Sequence, residues 1–233
     1  MLERILCLLI GYAFGLIQTG FLYGKAKGID IREHGSGNSG ATNTLRTLGT
    51  KAGFIVLVGD SLKCVVSMAV TYLLFGKVDP EYRFLYMIYT AFGCVIGHDF
   101  PFYLKFKGGK GIAVTAGLII SFGPLYIIVH LLVFAIAFLT THFVSLGSLL
   151  LYAAFLIMTV ICGQSGWFDI KAGVAIAQSV LTEMYVIVFI MTVIAYVRHR
   201  ANIVRLLNRN ESRVYLTQKL KDKTGKDKTD ELV

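Results

Sequence analysis

Apolar runs long enough to cross a bilayer punctuate this chain, and they constrain its fold more than any other feature. Leu2 to Gly24, Ala52 to Phe75, Phe143 to Gly163 and Gly173 to Val197 each approach or exceed the roughly 20 residues that an α-helix needs to traverse hydrocarbon. Backbone in hydrocarbon must satisfy its hydrogen bonds internally, so runs of this length are expected as helices. Hydrophobic residues make up 55% of the 233 and charged residues only 16%, with a mean hydropathy of +0.67. These values exclude ordinary soluble usage. Cys7, Cys64, Cys94 and Cys162 fall inside the apolar runs without CxxC spacing and read as small buried hydrophobes, with no redox or metal chemistry implied.

Charge sets the expected topology. Leu2 to Gly24 lacks an A-x-A-like cleavage site near its end and is expected to remain as an uninterrupted first span. Residues 25–51 hold Lys25, Lys27, Arg32, Arg46 and Lys51 against Asp30 and Glu33, so the positive-inside bias places this first loop in the cytoplasm and the amino terminus outside. From Arg198 onward lie ten of the 23 basic residues, so this end belongs on the same side. An even number of crossings must then separate it from the lysines at 105–110. Splitting the apolar stretch Ile112 to Thr141 at Phe122-Gly123-Pro124 supplies that parity. The expectation is an all-α polytopic membrane protein of about seven transmembrane helices over residues 1–212, with motif loops on the cytoplasmic face. Residues 213–233, rich in Lys, Asp, Thr and Glu, read as a charged, disordered cytoplasmic tail.

Between the first two spans, Gly35 to Gly49 reads GSGNSGATNTLRTLG, with four glycines, three threonines, two serines and two asparagines. Glycine lets backbone N–H groups approach an anion, and Arg46 adds a planar, permanently charged fork suited to phosphate. A solvated interhelical loop has a similar composition. Gly97 to Ile112, GHDFPFYLKFKGGKGI, clusters His98, Lys105, Lys107 and Lys110 around Gly108, Gly109 and Gly111. Cation plus mobile backbone again suits phosphate, although a cytoplasmic lysine cluster would look the same. Leu104 and Gly111 stand where a P-loop needs glycine and Ser/Thr, so nucleotide hydrolysis has no support. Splitting at Gly123-Pro124 brings Thr141 to Ser148 to the same face, where Ser145 and Ser148 can join. After the last span, HRANIVRLLNRNE sets His199, Asn202 and Arg205 three apart on one helical face. A juxtamembrane helix binding anionic lipid would share that pattern.

Within the second span, Asp60 and Lys63 lie three apart on one face and can pair. A cavity-facing functional role and a mutually neutralising structural pair both fit ionisable groups at this depth. Two matches are accidental. Gly35-x-Gly37-x-x-Gly40 has no preceding strand for a dinucleotide fold, and the glycosylation triplet Asn210-Glu211-Ser212 falls on the cytoplasmic side of the expected topology.

Taken in order, GSGNSGATNTLRTLG, GHDFPFYLKFKGGKGIAVTAG and HRANIVRLLNRNE, separated by apolar spans, resemble the bacterial acyl-phosphate:glycerol-3-phosphate acyltransferases across essentially the whole chain before the tail. That family's third motif usually has glycine two residues before its glutamate. Here Arg209 stands in that place, while His199, Asn202 and Glu211 match.

The resemblance implies transfer of a fatty acyl group from acyl phosphate to the sn-1 hydroxyl of glycerol 3-phosphate, giving lysophosphatidic acid for phospholipid synthesis. It implies no cofactor, metal or nucleic acid, a lipid bilayer as partner, functional coupling to an acyl-phosphate-forming enzyme, and a bacterial inner-membrane location. By the same resemblance Ser36, Arg46, Lys107, His199 and Asn202 are expected to be catalytic. Asn38, Gly40, Asn43, Gly108, Gly109, Lys110, Gly111, Ser145, Arg205 and Glu211 are expected to bind substrate. Ser36, Arg46 and Ser145 fall to the acyl-phosphate head, and Lys107 to Gly111 with His199 and Asn202 to glycerol 3-phosphate. Acyl phosphate carries its own good leaving group, so positioning and charge stabilisation suffice without a protein nucleophile. No histidine among His34, His98, His130, His142 and His199 has Asp five residues later, which removes support for the H-x4-D class and its thioester donors. A transporter or channel for a small phosphorylated solute is the rival from another class. The absence of an internal repeat weakens that rival.

Overall fold

The structure, a computed structural model, describes residues 1–214. Residues 215–233, most of the expected tail, lie outside the described residues. Among the described residues every regular element is helical: α1 (Leu2–Gly15), α2 (Thr19–Ala26), α3 (Ala41–Leu48), α4 (Thr50–Thr71, continued by a π turn Tyr72–Gly76), α5 (Arg83–Asp99), α6 (Ile112–Phe122), α7 (Pro124–Thr141), α8 (Val144–Gln164), α9 (Trp167–Ala172), α10 (Gln178–Arg198) and α11 (Arg200–Leu207). Five segments among the described residues are long and apolar enough to cross a membrane: Leu2–Ala26, Thr50–Gly76, Pro124–Thr141, Val144–Gln164 and Gln178–Arg198. Seven apolar segments do occur in the expected order, but α5 and α6 are short. The 11 residues of α6 rise only about 16 Å, roughly half the hydrocarbon thickness. The expected count of about seven is therefore met by five long spans and two shorter apolar helices among the described residues. The expected break between α6 and α7 is present, made by Gly123 at φ +97° and by Pro124 in the first turn of α7.

Helix α5 sits at the centre, packed against α1, α4, α6 and α10. Its fit to α1 depends on paired small residues, Gly11 and Gly15 facing Gly93 and Gly97. A Cβ on Gly11 would fall 1.9 Å from Thr90 O, and one on Gly93 2.2 Å from Leu8 O. Backbones approach this closely in hydrocarbon because van der Waals contact drives helix association there. At one end of the bundle Phe84, Phe122, Tyr126, Phe155 and Phe168 form an aromatic plug, with Phe84 and Phe168 centroids 4.8 Å apart. The outer faces carry exposed Leu9, Leu131, Ile136, Ile157, Ile161, Phe189 and Val193, as lipid-facing surface requires.

Two expectations change. The first span is interrupted at Leu16 to Gln18. Gln18 is fully buried, and its side chain donates to Gly15 O (3.2 Å) and His98 O (3.0 Å) while accepting from Ser39 Oγ (3.0 Å). The carbonyls of Gly15 and Ile17 freed by the break accept from Lys63 Nζ at 3.3 and 2.6 Å. Unwound backbone persists at membrane depth only where protein groups satisfy it in this way. The first loop, in turn, contains a helix: Asn38 Oδ1 accepts from Gly40 N (2.9 Å), and α3 runs from Ala41 until Gly49 at φ +88° ends it.

Candidate active site

The first motif is shaped by Asn43, which is buried beneath its own loop. Asn43 Nδ2 lies within 3.0 Å of the carbonyls of Ile31, His34 and Asn38, and its Oδ1 accepts from Ser36 N at 2.7 Å. Gly35 and Gly37, at φ +59° and +70°, allow the chain to curl around that amide. Ser36 is thereby presented at the surface of the curl, and Asn38 Nδ2 reaches Gly108 O at 3.4 Å, linking the first motif to the second.

The second motif is held by its glycines and by Arg198. Gly108 N donates to Asp99 O (3.2 Å) and Gly109 N to His98 O (3.0 Å). Arg198 Nη2 donates to Gly109 O at 2.6 Å. Side chains are excluded here, since a Cβ on Gly108 would lie 2.0 Å from His98 O and one on Gly109 2.0 Å from His98 Nε2. The folded loop leaves Lys107 exposed and turns Lys110 inward, just ahead of Gly111 and the free N–H groups that open α6.

The third motif completes the arrangement. His199 follows α10, and its Nδ1 lies 2.8 Å from Ala195 O; a carbonyl can only accept, so Nδ1 carries the proton and Nε2 keeps a lone pair. Burial lowers His199 to about 4, so the ring is neutral near pH 7. Asn202 Oδ1 accepts from Lys110 Nζ at 2.5 Å, while its Nδ2 donates to Glu211 Oε1 at 3.0 Å. Glu211 Oε2 accepts from Arg205 Nε at 2.8 Å. Burial, reinforced by Arg205, lowers Lys110 to about 8. Arg209 adopts a left-handed φ of +57°, and this turn swings residues 210–214 back over the site. There Arg46 Nη2 donates to Ser212 O (3.3 Å) and Val214 N to His142 O (2.9 Å).

All three motifs border one cleft of about 440 Å³. Its polar end gathers Ser36, Asn38, Gly40, Asn43, Arg46, Lys110, Ser145, His199, Asn202, Arg205 and Glu211, together with Ile112 and Ala113 of the α6 amino terminus. Its other wall is apolar, made by Phe54 and Leu57 of α4 and Phe134 and Phe138 of α7. Ser145 Oγ is buried without a protein partner among the described residues, on the cleft lining. Lys107, Gly108, Gly109 and Gly111 are outside the lining; the three glycines shape the loop that brings Lys110 in. Among the described residues no cluster of three or more His, Cys, Asp or Glu could hold a metal ion.

Residues 5–209 match the glycerol-3-phosphate acyltransferase family. The chain belongs to that family. It is 38% identical over 210 residues to the glycerol-3-phosphate acyltransferase of Bacillus subtilis (strain 168), covering 90% of this chain and 96% of the relative. It is 37% identical over 210 residues to that of Geobacillus kaustophilus (strain HTA426), covering 90% and 95%. Its fold is similar to the crystal structure of PlsY (YgiH), an integral membrane glycerol 3-phosphate acyltransferase, in its glycerol 3-phosphate form. That likeness has a TM-score of 0.73 at 30% identity and covers 91% of this chain and 96% of the other. The lysophosphatidic acid form of the same protein gives a TM-score of 0.71 at 29% identity, with 91% and 96% covered.

In this acyltransferase, sequence reasoning missed cleft residues on the apolar wall and floor. Phe54, Leu57, Phe134 and Phe138 carry no sequence signal separable from lipid-facing helix, and His98 reads in the sequence only as one member of a basic loop. Asp60 carried a usable signal, as a charge within an apolar span. It lines the cleft and is also paired, with Lys63 Nζ 2.9 Å from its Oδ1.

Proposed function

We propose that the cleft moves a fatty acyl group from an acyl phosphate to the sn-1 hydroxyl of glycerol 3-phosphate, giving lysophosphatidic acid and inorganic phosphate. The observation that carries this reading is the union in one cleft of three cations, Arg46, Lys110 and Arg205, with an apolar wall on α4 and α7. A soluble phosphate and a phosphate bearing a long apolar chain both have complementary surface there. The sn-1 oxygen attacks the acyl carbon, the bond from that carbon to the phosphate oxygen breaks, and the released phosphate takes the hydroxyl proton. Ser36, Arg46 and Ser145 hold the acyl-phosphate head; Lys110, Arg205 and the α6 amino terminus hold the glycerol phosphate. Asn202 and Glu211 act by holding Lys110 and Arg205 in place.

His199 presents a lone pair at Nε2, so it accepts a hydrogen bond from a hydroxyl; it has no proton there to give a phosphate. A site lowered to about 4 is a weak acceptor of a full proton near pH 7. Lys107, exposed outside the cleft, serves as a long-range attractor of anions. The positive-inside distribution supports a bacterial inner-membrane orientation with the amino terminus outside and the cleft facing the cytoplasm, where an acyl-phosphate-forming enzyme can supply the donor. The test is incubation of the purified protein with palmitoyl phosphate and glycerol 3-phosphate. Lysophosphatidate and stoichiometric phosphate are expected, and absence of both rejects the reading.

A further inference from the structure

Beneath the glycine loop lies a buried polar group that the roles above do not use. Asp60 and Lys63 on α4 and His98 on α5 are all buried. Lys63 Nζ lies 2.6 Å from Ile17 O, 2.9 Å from Asp60 Oδ1 and 2.9 Å from His98 Nδ1. An ammonium has three protons and no lone pair, so His98 Nδ1 must accept, which fixes the neutral imidazole with its proton on Nε2. Asp60 Oδ1 is further engaged by Thr19 Oγ1 at 2.9 Å. Asp60 Oδ2 is buried with no partner among the described residues, and the ring contact of His98 with Lys63 is made through Nδ1, leaving Nε2 for the cleft. Both side chains line the cleft, and Nε2 lies directly beneath Gly109, the residue before Lys110.

The group is electrically balanced, one carboxylate against one ammonium with a neutral ring beside them. An unpartnered carboxylate oxygen repels phosphate and suits a donor, whereas the Nε2–H of His98, whose ring lies 3.9 Å from Asp60 Oδ1 through Nδ1, needs an acceptor. A hydroxyl is both. We propose that Asp60 and His98 form the subsite for the non-reacting sn-2 hydroxyl of glycerol 3-phosphate, with Lys63 as the positioning residue that fixes both. Protonating Asp60 would strand a buried ammonium without its counter-charge. The hydroxyl held by Asp60 is therefore one that keeps its proton, which the reacting sn-1 hydroxyl does not. Gly109 contributes by its missing side chain, which lets His98 reach up beneath the loop while Lys110 takes the phosphate at the other end of the molecule.

The inference rests on glycerol 3-phosphate occupying this cleft, and its test compares that substrate with 3-hydroxypropyl phosphate, which keeps the phosphate and the primary hydroxyl and lacks the secondary one. With palmitoyl phosphate as donor, the wild type is expected to favour glycerol 3-phosphate by about 10²-fold or more in kcat/KM, because the analogue leaves two buried polar groups unpaired. His98→Asn retains an acceptor for Lys63 and removes the Nε2 donor. Asp60→Asn combined with Lys63→Met removes both charges together, so neither is stranded. In each variant the preference is expected to collapse to within about 3-fold, with the loss falling on glycerol 3-phosphate. The ratio is read within one protein, so a smaller folded fraction lowers both rates alike, and the double variant serves if His98→Asn does not fold. A wild type indifferent to the missing hydroxyl, or variants that keep the wild-type ratio, overturns the subsite. Failure of the wild type to acylate glycerol 3-phosphate at all overturns the substrate reading and the subsite with it.

Discussion

Lys110 and Asn202, 92 residues apart in the chain, meet through an Nζ to Oδ1 hydrogen bond of 2.5 Å. That contact joins the lysine loop to the last helix, and Asn202 passes it on through Glu211 to Arg205. The two cations assigned to glycerol 3-phosphate are thus oriented before substrate arrives, which lowers the ordering cost of binding. Lys110 is lowered to about 8 by burial and by neighbouring Arg205. A base lowered in the folded protein loses its charge as pH rises through that value, so the KM for glycerol 3-phosphate should climb above about pH 8. Lys110→Arg, charged throughout, should flatten that rise while reducing kcat. A KM profile from pH 6.5 to 9.5 for both proteins checks this.

Arg46 is the one cation of the first motif, and its guanidinium already reaches across to Ser212 O. A Lys side chain keeps the charge but cannot span two oxygens as a fork does. Arg46→Lys should lose about tenfold or more in kcat/KM, equivalent to roughly 1.4 kcal/mol of transition-state binding. Near-normal turnover in the Lys variant would count against a bidentate role.

His199 is buried and neutral, with Nε2 as acceptor. His199→Gln should mainly raise the glycerol 3-phosphate KM and spare much of kcat, since removal of a true general base costs on the order of 10²- to 10⁴-fold. A kcat collapse of that size at unchanged KM would make His199 the base. The same ring gives a stability signature. Its folded value of about 4 lies below the unfolded 6.5, so its contribution is complete above pH 6.5 and lost as pH falls toward 4. At roughly 1.4 kcal/mol per pH unit, this amounts to about 3 kcal/mol. Thermal unfolding in detergent at pH 7 and pH 4.5 should show a smaller acid loss for His199→Gln than for the wild type.

Arg209 occupies the left-handed turn where the resembled family usually has glycine. A side chain there costs about 1–2 kcal/mol relative to glycine, offset in part by glycine's greater unfolded-state entropy. Arg209→Gly should therefore stabilise the protein by about 0.5–1 kcal/mol and leave activity intact, measured as an increase in Tm. A lower Tm would show that the exposed Arg209 side chain makes a contact worth more than the strain.

Orientation in the membrane is open to direct labelling, because the four native cysteines are buried. Single cysteines at Lys27, Lys107 or Arg213 should react with an impermeant maleimide only when the cytoplasmic face is exposed. Labelling of the Arg213 position from outside intact cells would reverse the orientation proposed for the cleft.

The sequence alone settled what depends on composition and spacing along one dimension. Apolar run lengths determined the helical membrane class, and the Gly123-Pro124 pair determined the break between α6 and α7, because those residues act through their own backbone. Basic residues on loops 25–51 and 105–111 and after α10 pointed to one shared face, as the single cleft requires. The i, i+3 spacing of Asp60 and Lys63 permitted an ion pair and a cavity-facing role alike; the structure shows the pair, with Asp60 also on the cleft lining. Tertiary structure decided what depends on which surfaces meet. Gln18 interrupts the first span because Ser39 and the carbonyl of His98, from distant segments, satisfy its amide at the break. Gly11 and Gly93 matter only because each abuts the other helix's backbone. Lys107 and Lys110 are equivalent in composition, but left-handed Lys105 and Phe106 turn the loop so that one faces outward and the other reaches Asn202. Periodicity cannot show that choice, since it is made by a backbone path that the packing of His98 under Gly109 imposes.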